Sequence, residues 1–201
     1  MTRSLDSLLA KIRDCRICEA HLPLGPRPVL QASSTSRLLI ISQAPGRRVH
    51  DSGVPFDDPS GDRLREWMGI GKPVFHDPRR VAIVPMGFCY PGKGKSGDLP
   101  PRPECAPTWH PRLLPRLQEV RLTLLVGSYA IGHKLGREAA PSMTETCRQW
   151  RQHLADGRFV LPHPSPRNVG WFQRNPWFAD EVLPTLKHAV ARALADSGST
   201  S

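Results

Sequence analysis

Two short polar segments of the sequence carry the side chains that could do chemistry. The first is Ser42–Gly46, which reads Ser-Gln-Ala-Pro-Gly, and the second is His163–Asn168, which reads His-Pro-Ser-Pro-Arg-Asn. Each follows a short apolar run, Arg37–Ile41 in one case and Arg158–Leu161 in the other. Such runs predict buried strands, so both segments are expected to leave the carboxyl end of a sheet, where open α/β folds place their sites. Either segment alone is also typical of an ordinary turn.

Four cysteines form a second group of reactive side chains. Cys15 and Cys18 are a C-x2-C pair, and Cys89 and Cys105 are separated by 15 intervening residues. Four thiolates that include one such pair are the donor set of an iron–sulfur cluster or of structural zinc, with unligated core cysteines as the alternative. The fifth, Cys147, has no place in this spacing and is expected to be a small buried apolar residue.

Apolar runs that alternate with helical patterns predict the elements that position these residues. Four strands are expected, at Arg37–Ile41, Val81–Met86, Leu122–Val126 and Phe159–Leu161. Helices are expected from Leu5 to Ile12, from Ser60 to Gly69, after Thr108, from Ser128 to Leu135, after Ser142 and from Phe178 to Leu194. This alternation favours an α/β fold, a single domain over residues 1–195 with a central four-stranded parallel sheet flanked by helices. Residues 90–104 are expected to form an irregular loop and 196–201 a disordered tail.

The charge of the chain indicates its partner. The 201 residues carry a formal net charge of +10, with a pI near 10.0, which favours a polyanion such as nucleic acid. No apolar run approaches the length of a membrane span, and the first residues lack the apolar core of a signal peptide. A cytoplasmic monomer that binds no membrane is therefore expected.

The two polar segments together, in this order and at this distance, resemble the signature loops of the uracil-DNA glycosylase superfamily. The first is followed by Gly53-Val54-Pro55-Phe56, which matches the Gly-x-Pro-Phe of that family, and the second is similar to the loop of its single-strand-selective monofunctional members. The resemblance implies a DNA partner containing a damaged base, and hydrolytic removal of uracil or a related base. The cysteine spacing resembles the iron–sulfur branches often called family 4. It implies a structural [4Fe–4S] cluster with the ligands Cys15, Cys18, Cys89 and Cys105. No nucleotide cofactor is expected.

The resemblance also assigns roles to single residues. Cleavage through a cationic sugar and an anionic base needs donors aimed at the base and a polar group that positions water. His163 corresponds to the family residue that faces the uracil O2, and Phe56 corresponds to the aromatic residue that stacks on the base. The base pocket is expected to contain Gln43, Ala44, Phe56 and Met86. Contacts with DNA are expected from Arg47, Arg48, Ser165, Arg167 and Asn168. Because neither segment contains a lysine, the activity is expected to be monofunctional.

The first loop departs from the family at the residue that should activate water. Ala44 stands where the most active members carry Asp, and the Glu that iron–sulfur branches supply nearby aligns with Val49. His50 is therefore predicted to orient the water, with Asp51 as the second candidate, because an imidazole can accept a proton near neutral pH.

A second departure concerns recognition of the base. The Asn that reads the uracil edge after the second strand is replaced here by Pro85 or Met86, and neither side chain can supply a hydrogen bond. Two rival functions therefore remain open. One is a module that binds DNA or a modified base without cutting, and the other is an enzyme of the same fold that removes hypoxanthine or xanthine.

Overall fold

A computed structural model of the chain describes residues 2–195, with side chains from residue 5 onward. The tail predicted to be disordered, residues 196–201, lies outside the described residues. The strands are β1 (Leu38–Ile41), β2 (Val81–Ile83), β3 (Lys93–Gly94), β4 (Gly97–Asp98), β5 (Leu122–Val126) and β6 (Arg158–Leu161). The order β2-β1-β5-β6, with every pairing parallel, forms the central sheet, while β3 and β4 form a separate antiparallel hairpin. The predicted four-stranded parallel sheet is confirmed.

Helices cover both faces of the sheet. They are α1 (Thr2–Arg13), α2 (Arg47–Ser52), α3 (Pro59–Met68), α4 (Lys72–Phe75), α5 (Cys105–Leu113), α6 (Ser128–Leu135), α7 (Met143–Arg148), α8 (Trp150–Ala155), α9 (Val169–Arg174) and α10 (Leu183–Leu194), with a π-helical turn over Phe178–Val182. Leu39 and Ile41 of β1 pack on the side of α1, α5 and α6, and Leu38 and Ile40 pack on the side of α3 and α10. Burial on both faces explains why the strands are apolar without alternation.

The second strand is shorter than predicted. β2 ends at Ile83, three residues before the expected Met86, because Pro85 has no backbone N–H to donate to a ladder. The chain nevertheless stays beside the first loop, since the amide of Met86 donates to the carbonyl of Ser42 at 2.8 Å. This contact brings the residues that follow β2 to the carboxyl end of β1.

Three helices begin earlier than predicted, and the first of them, α1, starts at Thr2 instead of Leu5. The cap of α3 is Asp58 rather than Ser60, and its carboxylate accepts from the amide of Gly61 at 2.8 Å. The start of α5 at Cys105 precedes the predicted cap Thr108. The predicted start of α7 is confirmed, because the hydroxyl of its cap accepts a hydrogen bond from the amide three residues later.

The segment predicted to be an irregular loop, residues 90–104, contains the hairpin of β3 and β4. All five cysteines are free thiols, and Cys147 is fully buried as predicted. Within residues 2–195, no helix combines the length and the apolar character needed to cross a bilayer.

Candidate active site

The loops that follow β1, β2 and β6 surround a cavity of about 500 Å³ at the carboxyl edge of the sheet. The hairpin of β3 and β4 contributes a further part of the wall. The predicted residues that line the cavity are Gln43, Ala44, Phe56, His163, Ser165, Arg167 and Asn168. Folding therefore brings the two signature segments, more than a hundred residues apart in the sequence, to one site.

His163 is a half-buried residue on the cavity wall. The backbone amide of Ser165 donates to its Nδ1 at 3.2 Å, so Nδ1 carries no proton and the neutral ring carries its proton on Nε2. Burial lowers the pKa of His163 below its usual 6.5, and the Asp58 carboxylate opposes this effect. The neutral ring, with Nε2–H as its donor, is therefore the form favoured at neutral pH.

Hydrogen bonds within and behind the second loop fix the position of His163. The side-chain amide of Asn168 donates to the His163 carbonyl at 2.7 Å. From α3, Arg63 donates to the carbonyls of Pro164 at 3.3 Å and Ser165 at 3.2 Å. Asn168, predicted to contact DNA, thus also holds the loop together. The sequence does not indicate Arg63, because this residue lies outside both signature segments.

Phe56 supplies an aromatic wall. The residue lines the cavity and is 9% exposed. Phe75 supports the ring edge-to-face at a centroid distance of 5.9 Å. The backbone of Phe56 has a φ of 56°, in the left-handed region that residues with a side chain rarely adopt.

The helix α2 turns the predicted water-orienting residues away from the cavity. Val49 lines the cavity, whereas His50 and Asp51 do not. His50 is buried beside the ring of Tyr90 at a centroid distance of 6.1 Å, and its Nδ1 has no hydrogen-bond partner among the described residues. Burial lowers the pKa of His50. Asp51 is exposed and pairs with Arg47 at 2.8 Å. The geometry does not support the predicted role of either residue in orienting water.

Met86 and Arg48 also lie away from the cavity wall. Met86 is 8% exposed and belongs to the core cluster on the α1 side of the sheet, so its predicted place in the base pocket is not supported. Pro85 lines the cavity instead, and its carbonyl accepts a hydrogen bond from Nε2 of His110 at 3.0 Å. Burial lowers the pKa of His110 to about 4. Arg48 is exposed on α2.

Two carboxylates that were not predicted from the sequence also line the cavity. Asp58 is half-buried, and its charge acts on His163. Asp98 comes from β4, and burial raises its pKa, as does the negative charge of Asp58. An Asp-Pro step two residues after Phe56 could have indicated Asp58, since such a pair commonly starts a helix. No sequence signal indicates Asp98, because it lies in residues 90–104, which predict only an irregular loop.

Arg167 connects the second loop to the hairpin. Its Nη1 donates to the carbonyl of Ser96 at 2.9 Å. Gly97 has a φ of 146°, and a Cβ at this position would collide with Nη1 of Arg167. The guanidinium therefore lies against the backbone of the hairpin and closes one side of the cavity wall.

The four spaced cysteines line one small, separate cavity. The amide of Phe88 donates to the sulfur of Cys105 at 3.3 Å. Burial, together with the neighbouring cysteines, raises the pKa of Cys89 to about 11 and that of Cys105 to about 12. Among residues 2–195, no group of three or more His, Cys, Asp or Glu side chains has the arrangement that would hold a metal ion. Four free thiols on one cavity wall are nevertheless the donor set that a four-thiolate cluster requires.

A comparison with protein-family models identifies the relatives of this chain. Residues 30–187 match the model described as the uracil DNA glycosylase superfamily. The match begins before β1 and ends within α10, so it includes the whole sheet and both loops of the cavity. The chain belongs to the uracil DNA glycosylase superfamily, whose members are hydrolytic glycosylases that act on DNA in repair.

Proposed function

We propose that the protein is a monofunctional DNA glycosylase that hydrolyses the N-glycosidic bond of uracil or a related damaged base. The observation that carries this proposal is the state of His163. Its Nδ1 accepts from the Ser165 amide, so the neutral ring can present Nε2–H to a base in the cavity that Phe56 also lines. An aromatic face and a fixed donor on one cavity are what an extruded base requires.

In this mechanism the base leaves the DNA stack and enters the cavity, where the ring of Phe56 stacks on it. The bond between C1′ and the base nitrogen then breaks, and its electron pair stays on the base. Nε2–H of His163 donates to the base oxygen on which negative charge develops, and this interaction is stronger in the transition state than in the bound substrate. Burial of the ring, which lowers its pKa, keeps the donor neutral.

Water must attack C1′ from a fixed position, and Asp58 is the proposed group that orients it. Asp58 lines the cavity, and its charge reaches His163. Its Oδ1 accepts from the Gly61 amide at 2.8 Å, which fixes the side chain. The other carboxylate oxygen can accept a proton from water while the negative charge stabilises the cationic sugar. His50 and Asp51 do not line the cavity, so neither is placed to orient a water beside the base.

The proposed DNA partner fits the charge of the molecule. The formal net charge is +10, and Arg167 lines the cavity beside the hairpin that carries Lys93. Cations at this edge would neutralise phosphates beside the extruded nucleotide. Within residues 2–195, no lysine lines the cavity, which supports hydrolysis rather than attack by an amine.

We also propose that a [4Fe–4S] cluster binds Cys15, Cys18, Cys89 and Cys105 and acts structurally. The four thiols line one cavity, and the Phe88 amide already donates to one sulfur, as amides do around cluster thiolates. A bound cluster would tie the segment after α1 to the start of α5. Anaerobically purified protein is expected to be brown and to contain about four irons per chain. Stoichiometric zinc in colourless protein would contradict the proposal, and Cys147→Ser is the control that keeps the colour.

Excision assays on lesion-bearing oligonucleotides test the proposed function. Purified protein is incubated with single- and double-stranded DNA containing uracil, hypoxanthine or xanthine, and alkali then cuts the abasic sites. The expected result is cleavage at uracil that requires alkali, since a monofunctional enzyme leaves the strand intact. Cleavage only at a deaminated purine would reassign the substrate. DNA binding without excision of any lesion would favour the non-catalytic module. The observation that supports this alternative is that Pro85 lines the cavity and has no side-chain amide with which to recognise a base.

A further inference from the structure

Phe56 holds a backbone conformation that its own residue type disfavours. Its φ of 56° places it in the left-handed region, where a Cβ crowds the adjacent carbonyl. A residue with a side chain remains there when surrounding contacts over-determine it. The contacts to the backbone carbonyl of Phe56 come from α3, which begins three residues later.

Arg65 is the side chain of α3 that contacts the carbonyl of Phe56. Its Nη1 donates to that carbonyl at 3.2 Å. Its Nη2 donates to Asp62 at 2.6 Å. The guanidinium also lies 5.2 Å from the ring centroid of Phe75, the ring that supports Phe56 from behind. Arg65 therefore contacts both the backbone of Phe56 and the aromatic residue beneath its side chain.

The burial of Arg65 is unusual for a cation. The residue is 5% exposed, and its ion-pair partner Asp62 is 67% exposed at the side chain. Arginine is rarely buried without a specific set of acceptors. Here the acceptors are one exposed carboxylate and the carbonyl of Phe56, so the interaction with Phe56 is a principal reason for this residue type at this position.

Gly61 shows how closely α3 fits the same carbonyl. A Cβ on Gly61 would collide with the carbonyl group of Phe56, so this helix position has no room for a side chain. Gly61 and Arg65 are four residues apart and therefore lie on one face of the helix. One face of α3 thus provides both a close backbone contact and a guanidinium donor to the carbonyl of Phe56.

We propose that Arg65 is a positioning residue that holds the backbone of Phe56 in the left-handed conformation, so that its ring forms the stacking wall of the cavity. This inference rests on the proposed function, in which Phe56 stacks on the extruded base. Arg65 is absent from the cavity wall, so it acts through Phe56 and not on the base. A loss of the guanidinium is expected to weaken binding of the extruded base more than it slows the chemical step.

A double-mutant cycle tests whether Arg65 acts through Phe56. The variants are Arg65→Met, Phe56→Ala and the double variant, and the readouts are Kd for a lesion-bearing oligonucleotide and the single-turnover rate. Arg65→Met is expected to raise Kd about tenfold in the wild-type background and to have no effect in the Phe56→Ala background. Arg65→Lys, which keeps one donor, should restore part of the affinity. Equal losses in both backgrounds would overturn the proposal.

Arg79→Met is the matched control for the lost charge. Arg79 pairs with Asp77 on the surface, with 78% of its side chain exposed, and lies before β2, at the opposite edge of the sheet from the cavity. This variant is expected to keep the wild-type Kd. An equal rise in Kd for Arg79→Met and Arg65→Met would show that only net charge matters, and would overturn the proposal.

A readout without DNA separates this proposal from the proposed function. In a crystal structure of Arg65→Met, or of Arg65→Lys if the first variant does not fold, φ of Phe56 is expected to leave the left-handed region. An unchanged Phe56 in the variant would overturn the positioning role even if the enzyme excises uracil. Conversely, absence of excision by the wild type would contradict the proposed function and leave the crystallographic result decisive for Arg65.

Discussion

The two loops of the cavity are held by different kinds of contact. The second loop is bound mainly to itself, through the Ser165 amide on the His163 ring and the Asn168 side chain on the His163 carbonyl. The first loop, which runs from Ser42 to Phe56, contains α2. Its last residue is held by α3, because Arg65 and Gly61 contact the carbonyl of Phe56. Bonds within the loop therefore fix the His163 ring, with Arg63 of α3 behind them, whereas the backbone of Phe56 is held by Arg65 and Gly61 alone among the contacts described above. A substitution of Arg65 should thus disturb stacking before it disturbs proton donation.

The largest effect is expected at the carboxylate of Asp58, which lines the cavity and caps α3. Asp58→Asn should lower the single-turnover excision rate by about 10²–10⁴, the range for loss of a general base. Asparagine is also a good helix cap, so the hydrogen bond to Gly61 and the fold of α3 should persist. The rate is measured under single-turnover conditions with uracil-containing DNA, and thermal unfolding checks that the variant is stable.

His50→Ala and Asp51→Asn provide the comparison within the first loop. Both should keep the rate within a factor of a few, because neither residue lines the cavity. A rate of His50→Ala as low as that of Asp58→Asn would restore the assignment made from the sequence. It would also mean that α2 rearranges when DNA binds.

The sequence predicted the second loop better than the first, and the reason is geometric. His163, Ser165 and Arg167 follow a buried strand directly, and all three line the cavity. In the first loop, α2 turns each successive residue by about 100°, so the cavity receives Val49 instead of His50. A six-residue helix inside a polar segment has no periodicity that predicts it, and a difference of one residue in which side chain faces the cavity changes the predicted chemistry.

The residues of the site that depend on long-range contacts could not be predicted from the sequence either. The sheet followed from four apolar runs, since buried parallel strands need little beyond an apolar sequence. The approach of Asp98 to the cavity depends on a hairpin of two short strands, stabilised by the bond from Arg167 to Ser96. Neither Asp98 nor the buried Arg65 has a local signature, because each is defined by residues distant in sequence or by the helix face it occupies.

Loss of the locally placed donor is expected to have the second largest effect. His163→Ala should slow the chemical step by about 10²–10³, as loss of a donor to a developing oxyanion does. Kd for undamaged DNA should change little, because the interaction forms chiefly in the transition state. His163→Gln, which retains an N–H donor, should recover part of the rate. Equal rates for all three proteins would exclude His163 from the chemistry.

The stability of the protein is expected to depend on pH through His110, which donates to the carbonyl of the cavity-lining residue Pro85. Burial lowers the pKa of His110 from 6.5 to about 4, so between these values the unfolded chain binds a proton that the folded protein does not. Its contribution to stability is therefore present above pH 6.5 and is lost as the pH falls towards 4, by on the order of 3 kcal/mol. Urea unfolding at pH 7 and pH 4.5 measures this change. His110→Gln should show a smaller decrease between the two pH values, and an equal decrease would assign the effect to other groups.

The smallest effect is expected where the second loop meets the hairpin. Arg167 already donates to the Ser96 carbonyl, so a DNA phosphate must compete with this bond or share the guanidinium. Arg167→Ala should lower the slope of log Kd against log salt by about one. Arg79→Ala, which removes an equal charge at a distant site, should leave the slope unchanged. If Arg167→Ala keeps the wild-type slope but lowers the excision rate, the guanidinium serves to hold Asp98 and the hairpin against the cavity. In that case the second loop would depend on the hairpin as well as on Arg63 of α3.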